Sequence, residues 1–305
     1  MRVDTEDEFG GMAVRIRLLL ALLIIGALMV LTGCFGKQGG LPGKSIKPLV
    51  AVSIVPQETF VKAVAGDLVD VVVMIPPGKS PENYAPTPQE IEGFSRASRY
   101  FTIGIPAEDA SILPRTKNLN KNMIIADTAA DVRKVYPDRE FVPGSRDPHT
   151  WMSPKRAKIM IGTIARELSA QDPANAEVYS QNADKYIKEL DYLDSEIRAS
   201  LLGLQGKSFI IYHPSLGYFA DDYGLVMLAL EEEGKKATPK NLMDLVDTAK
   251  RENIKVVFYQ AETDSRQAKT FASEIGGRAQ MVDPLSADYI ANLRGISQTF
   301  ADVLK

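Results

Sequence analysis

Between Tyr179 and Leu201 the chain places apolar residues at Tyr179, Ala183, Tyr186, Leu190, Leu193, Ile197 and Leu201. The steps are four or three residues throughout, which sets all seven on one face of a single helix. Upstream, Asp172-Pro173 offers an N-cap and a proline at the first helical position. Downstream, Gly203–Gly206 ends the run. A helix of roughly 30 residues would extend about 45 Å at 1.5 Å per residue. That is long enough to run along two lobes, and the rest of the fold must be built on either side of it.

Both flanks share one rhythm. Before the helix, Leu49–Val55 and Val69–Met74 are β-branched runs separated by a helical stretch from Gln57 to Ala65. Pro76, Pro77 and Pro81 force a loop. Thr87-Pro88-Gln89-Glu90 then reads as a helix start, with Thr as cap, Pro at the first position and Glu at the third. Tyr100–Ile105 and Met123–Ala126 are further strands. After the long helix, Ser208–Tyr212, Val226–Leu230, Lys255–Tyr259 and Gln280–Val282 read as strands. Helical stretches Tyr218–Tyr223, Thr238–Glu252, Arg266–Ile275 and Tyr289–Leu304 alternate with them. Strands alternating with helices predict parallel sheets covered on both faces. The expected fold is therefore α/β, with two Rossmann-like lobes (48–171 and 204–305) joined by one long helix (172–203).

The N-terminus reads as an address. Arg15 and Arg17 precede an apolar stretch from Leu18 to Leu31, followed by Leu31-Thr32-Gly33-Cys34. A charged start, a short apolar run and small residues before a cut make a secretory signal. The run is shorter than the roughly 20 residues a spanning helix needs; an uncleaved membrane anchor is the other reading. Leu-Thr-Gly-Cys resembles the bacterial lipobox, which makes 1–33 a signal peptide and Cys34 a lipidation site. As the only cysteine, Cys34 has no internal disulfide partner; a free thiol is the alternative. Residues 34–47, rich in glycine and lysine, read as a flexible tether. A net charge of −3 gives no sign of the basic face of a nucleic-acid binder.

Two histidines occur in 305 residues, His149 and His213. His149 lies in Asp147-Pro148-His149-Thr150-Trp151, and His213 lies at the carboxyl end of the Ser208–Tyr212 strand. Ligands of open α/β sheets bind outside the carboxyl ends of strands. A lone loop histidine is more often a surface hydrogen-bonding group, but here each predicted lobe has one, in similar settings.

Asp147–Trp151 resembles the D-P-H-x-W motif of zinc- and manganese-binding proteins of ABC importers. Tyr212-His213-Pro214-Ser215-Leu216-Gly217-Tyr218-Phe219-Ala220-Asp221-Asp222-Tyr223-Gly224-Leu225 is similar to that family's second-lobe signature. Gly78–Pro88 resembles its first-lobe loop, and Val282-Asp283-Pro284-Leu285 its last ligand strand. The resemblance covers Val50 to Lys305 and implies a metal-ligand set of Glu82, His149, His213 and Asp283. Glu82 stands where the family usually has His after Pro, and His213 where other members carry Glu. Glu262 and Asp264 are substitutes for Asp283, which could instead cap a turn. Glu231-Glu232-Glu233 reads as a solvated acidic loop, and Trp151 as packing beneath the His149 loop. Asp147 and Ser153 are near enough in sequence to support His149.

The implied activity is extracytoplasmic capture of a divalent ion and its delivery to a membrane permease and its ATPase, by a lipid-anchored monomer. Imidazole with carboxylate suits zinc or manganese, and thiolates are absent. Zinc leads because two nitrogen donors are present and affinity rises toward zinc along the first row; Glu82 pulls toward manganese. A secreted zinc hydrolase is the rival enzyme reading, but no H-E-x-x-H or G-x-S-x-G occurs. A surface adhesin with a structural metal is the other rival.

Overall fold

A computed structural model describes residues 47–305 apart from 233, 234, 237 and 264, and apart from the side chains of 117, 232, 235 and 236. The signal, Cys34 and tether expectations lie outside the described residues, as do Glu233 and Asp264.

Four short strands, Leu49–Val52 (β1), Asp70–Val73 (β2), Arg99–Thr102 (β3) and Ile124–Asp127 (β4), form a wholly parallel sheet in the order β2-β1-β3-β4. Helices Val55–Ala65 (α1), Pro88–Ser95 (α2), Leu113–Leu119 (α3) and Thr128–Val135 (α4) connect or follow them. The capping box expected at Thr87 forms: its hydroxyl accepts from Glu90 N, and the Glu90 carboxylate accepts from Thr87 N at 2.7 Å. Asp127 caps α4 by accepting from Ala129 N and Ala130 N.

A small antiparallel hairpin, Glu140–Val142 (β5) with Ser145–Arg146 (β6), leads to helix Pro154–Gln171 (α5) and then to the long helix Ala176–Ser200 (α6). The long helix is 25 residues. It starts later than Asp172-Pro173 implies, because that pair opens a single 3-10 turn, Pro173–Asn175. The Asp172 carboxylate accepts from Asn175 Nδ2 and the Tyr179 hydroxyl instead of capping the backbone. The apolar face is as expected, with Tyr179, Ala183, Leu190, Leu193, Ile197 and Leu201 all buried.

Past the helix, Ser208–Ile211 (β7), Val226–Ala229 (β8), Val256–Gln260 (β11) and Arg278–Val282 (β12) make a second parallel sheet in the order β12-β11-β7-β8. The short pair Glu231–Glu232 (β9) and Lys235–Lys236 (β10) stands apart from it. Helices Gly217–Tyr223 (α7), Pro239–Arg251 (α8), Ser265–Glu274 (α9) and Tyr289–Val303 (α10) complete the lobe.

One apolar core runs through both lobes, from Val50 and Phe60 through Leu190 and Leu193 to Phe258 and Phe300. Polar ties cross between lobes as well. Trp151 Nε1 donates to Pro284 O at 2.9 Å, and the Tyr289 hydroxyl donates to Trp151 O at 2.6 Å. The Asp222 carboxylate, 2% exposed, pairs with Lys155 at 2.6 Å and Arg156 at 2.8 Å and accepts from Ser153 Oγ. Buried charges are held in this way only when well paired.

Candidate metal centre

The carboxyl ends of the second sheet's strands all feed one cleft. His213 lies two residues past β7, Glu231 two past β8, Glu262 two past β11 and Pro284 two past β12. The first lobe contributes Glu82 from the loop after β2, and His149 from the turn after β6. The cleft has a volume of about 700 Å³.

Both imidazoles are buried, His149 at 3% and His213 at 6% exposure, and each is fixed through Nδ1. Asp147 Oδ1 lies 2.8 Å from His149 Nδ1 and also accepts from His149 N at 2.9 Å. Glu231 Oε2 lies 2.9 Å from His213 Nδ1. A carboxylate on Nδ1 makes that nitrogen the N–H donor, leaving the Nε2 lone pair for a metal. The two Nε2 atoms face each other at 3.3 Å, and Glu82 Oε1 lies 3.4 Å from His213 Nε2 and 3.8 Å from His149 Nε2. Two donors bound at roughly 2.1 Å to one tetrahedral zinc are themselves about 3.4 Å apart. The three atoms therefore have the spacing of a tetrahedron's edges before any ion is added.

The charges match a cation site. Burial works against the charged form of Glu82, but the hydrogen bond to His213 and the nearby imidazoles outweigh it and hold the carboxyl below its usual range. For His213, burial opposes protonation, while the hydrogen bonds and charges of Glu231 and Glu82 together raise it to about 9. A cation binding at His213 Nε2 must therefore displace a proton.

Asp147 is itself fully buried and pairs with Arg139 Nη1 at 3.1 Å. Gly217 makes this approach possible: a Cβ there would lie 2.6 Å from Asp147 Oδ2 and 2.7 Å from the Arg139 guanidinium. The Tyr218 hydroxyl donates to Asp147 O at 3.0 Å, so the second lobe steadies the first lobe's histidine.

Among the described residues, Glu82, His149 and His213 form a group whose ligand atoms lie within 4.8 Å of one another. Asp283 is not in that group; its Oδ1 accepts from Leu285 N at 3.0 Å, which caps a turn. Glu262 lines the cleft, its Oε2 buried with no hydrogen-bond partner among the described residues. Ser153 serves Asp222 and not His149, and Trp151 packs against His149 with ring centroids 5.1 Å apart. Glu231, read from sequence as part of a solvated run, is instead the carboxylate on His213. The signal for it was its place just beyond a strand's carboxyl end, the same rule that picked out His213.

The profile of the family described as the periplasmic component A of the zinc-uptake complex, ZnuA, matches residues 50–303. The chain belongs to the ZnuA family. It is 28% identical over 87% of its length to the high-affinity zinc uptake protein ZnuA of Bacillus subtilis, covering 88% of that protein. It is 27% identical over 84% to the manganese ABC transporter substrate-binding lipoprotein PsaA of Streptococcus mitis, covering 85% of it. A crystal structure of a ZnuA superposes with TM-score 0.80 at 36% identity, covering 85% of this chain and all of that one. ZnuA-family members are solute-binding components of metal ABC importers, with the same α/β architecture of two parallel sheets and a long helix.

Proposed function

We propose that the chain captures one divalent transition-metal ion, zinc first and manganese or iron second, and passes it to an ABC permease driven by its ATPase. One observation carries this reading: two oriented imidazoles and a carboxylate, drawn from both lobes, converge with the spacing of a tetrahedral site. Two nitrogens favour zinc, while the oxygen at Glu82 leaves room for manganese. The cation is cargo, and the protein's task is to hold and release it rather than to run chemistry on it.

The fourth donor is a carboxylate on the second lobe's wall. Resemblance points to Asp283, and the unpartnered oxygen points to Glu262. Asp283→Asn and Glu262→Gln, each titrated with zinc, separate them: the ligand's variant weakens binding and the other does not.

We also assign extracytoplasmic placement through a lipid on Cys34, as a monomer. Relatives that are lipoproteins support this, and Cys34→Ser, releasing the protein from membranes, tests it. His149→Ala and His213→Ala should each abolish tight zinc binding in calorimetry. Wild-type affinity in both would overturn the site. Metal analysis of protein purified without added metal, followed by zinc–manganese competition, decides the cargo.

A further inference from the structure

Among the bonds that tie the Glu82 loop to its lobe, two bracket the ligand, and a third joins the Tyr84 hydroxyl to the Glu90 carboxylate at 2.9 Å. Ala107 N donates to Pro81 O at 3.1 Å, and Ser111 Oγ donates to Tyr84 O at 2.8 Å. Both donors belong to one segment, which includes a π-helical turn, Glu108–Ile112. Such turns are rare and are frequently found at functional sites.

Glu108 lies in this segment but turns inward, 1% exposed. Its carboxylate accepts from Ile103 N at 2.9 Å, from Gly104 N at 2.7 Å and from Ser53 Oγ. Ser53 in turn lies 2.8 Å from the Tyr100 hydroxyl. The side chain thus pins the turn to the carboxyl ends of β1 and β3. The segment that carries His149 meets the same spot: Gly104 O accepts from Arg146 Nη1 at 3.0 Å, three residues before that histidine. Gly104 has φ of +81°, a left-handed conformation that favours glycine, and a Cβ there would press on that guanidinium at 2.6 Å.

A carboxylate buried this deeply is costly unless its bonds are needed, and nothing in the cleft touches it. We infer that Glu108 is a positioning residue for the metal site: by anchoring the Ala107–Ser111 segment it sets where Glu82 stands opposite the two imidazoles. This rests on Glu82 being a ligand.

The test is a thermodynamic cycle on zinc affinity, read by competition with a chromophoric chelator, using Glu108→Gln, Glu82→Ala and the double variant. A Gln presents an NH₂ to one of the two backbone amides that the carboxylate accepts, so the segment must shift. Glu108→Gln should weaken zinc about tenfold, the scale of losing an outer support of a metal ligand. It should add nothing once Glu82 is already Ala. The cobalt-loaded visible spectrum of Glu108→Gln should move toward that of Glu82→Ala. Equal weakening in both backgrounds, or none in either, overturns the role of Glu108. Wild-type affinity in Glu82→Ala alone overturns the ligand reading instead. Should Glu108→Gln fail to fold, Ser111→Ala takes its place: it removes the bond to Tyr84 O and leaves Glu108 buried. It should weaken zinc several-fold, again only when Glu82 is present, and wild-type affinity in it overturns the inference.

Discussion

Glu231→Gln separates two effects that one carboxylate exerts on the same ring. In the wild type, Glu231 Oε2 sits 2.9 Å from His213 Nδ1. A Gln carbonyl can still accept that N–H, so the ring keeps its orientation and loses its negative partner. Losing a carboxylate behind a ligating histidine costs about 10–100-fold in metal affinity, or about 1.4–2.7 kcal/mol. Acting against this, Glu231 helps raise His213 to about 9. At pH 7 an incoming ion therefore expels a proton held about two pH units more tightly than the medium sets, on the order of 3 kcal/mol. The variant sheds part of that cost. Wild-type zinc affinity should accordingly strengthen about tenfold per pH unit from 6.5 toward 9, and the variant should follow a flatter line. Its deficit should be full at pH 9 and shrink toward pH 6. The assay is chelator competition at pH 6, 7, 8 and 9. A deficit of equal size at every pH would refute the proton argument; no deficit at pH 9 would refute the support argument.

Gly217→Ala should weaken zinc about tenfold by driving Asp147 from its place behind His149, with no change at the metal's own ligands; calorimetry checks it. Asp222→Ala leaves Lys155 and the buried Arg156 without their carboxylate and should cost about 3 kcal/mol, visible as a fall in Tm. Stability of the metal-free protein should decline with rising pH. Burial pushes Glu108 up to about 7 despite its three hydrogen bonds, so its contribution is present below the unfolded value of about 4.3 and lost by about 7. The His213 contribution is present below about 6.5 and lost as pH passes 9. Thermal melts from pH 5 to 9 read both, and Glu108→Gln should flatten the acid half only.

Much of the fold could be read in local chemistry. Thr87-Pro88-x-Glu90 states its helix start outright, and the one-faced spacing through Leu190 and Leu193 states the long helix. Hairpin β5–β6 escapes because five residues carry no measurable period. Helix α5 begins with a usable signal, since Ser153 caps it through Arg156 N and Pro154 is its first residue. That signal is masked by the histidine motif it adjoins. At the cleft, His149 and His213 stand out because there are only two histidines to choose from. Glu231 does not, because which carboxylate of an acidic run meets His213 depends on where β8 ends in three dimensions. The turn-capping bond of Asp283 is likewise decided by loop geometry and not by residue type.

The ties between the lobes bear on how cargo leaves. Trp151, Tyr289, Tyr218 and Asp222 fasten the His149 side of the cleft to the opposite lobe at several points, whereas the Glu82 loop is held to its own lobe through Pro81 O, Tyr84 O and the Tyr84 hydroxyl. A docked permease that pulls on the cleft will find one door hung on a light latch and one bolted wall. The Glu82 oxygen should let go first, leaving the ion on the two imidazoles and the second lobe's carboxylate, from which protonation can then evict it.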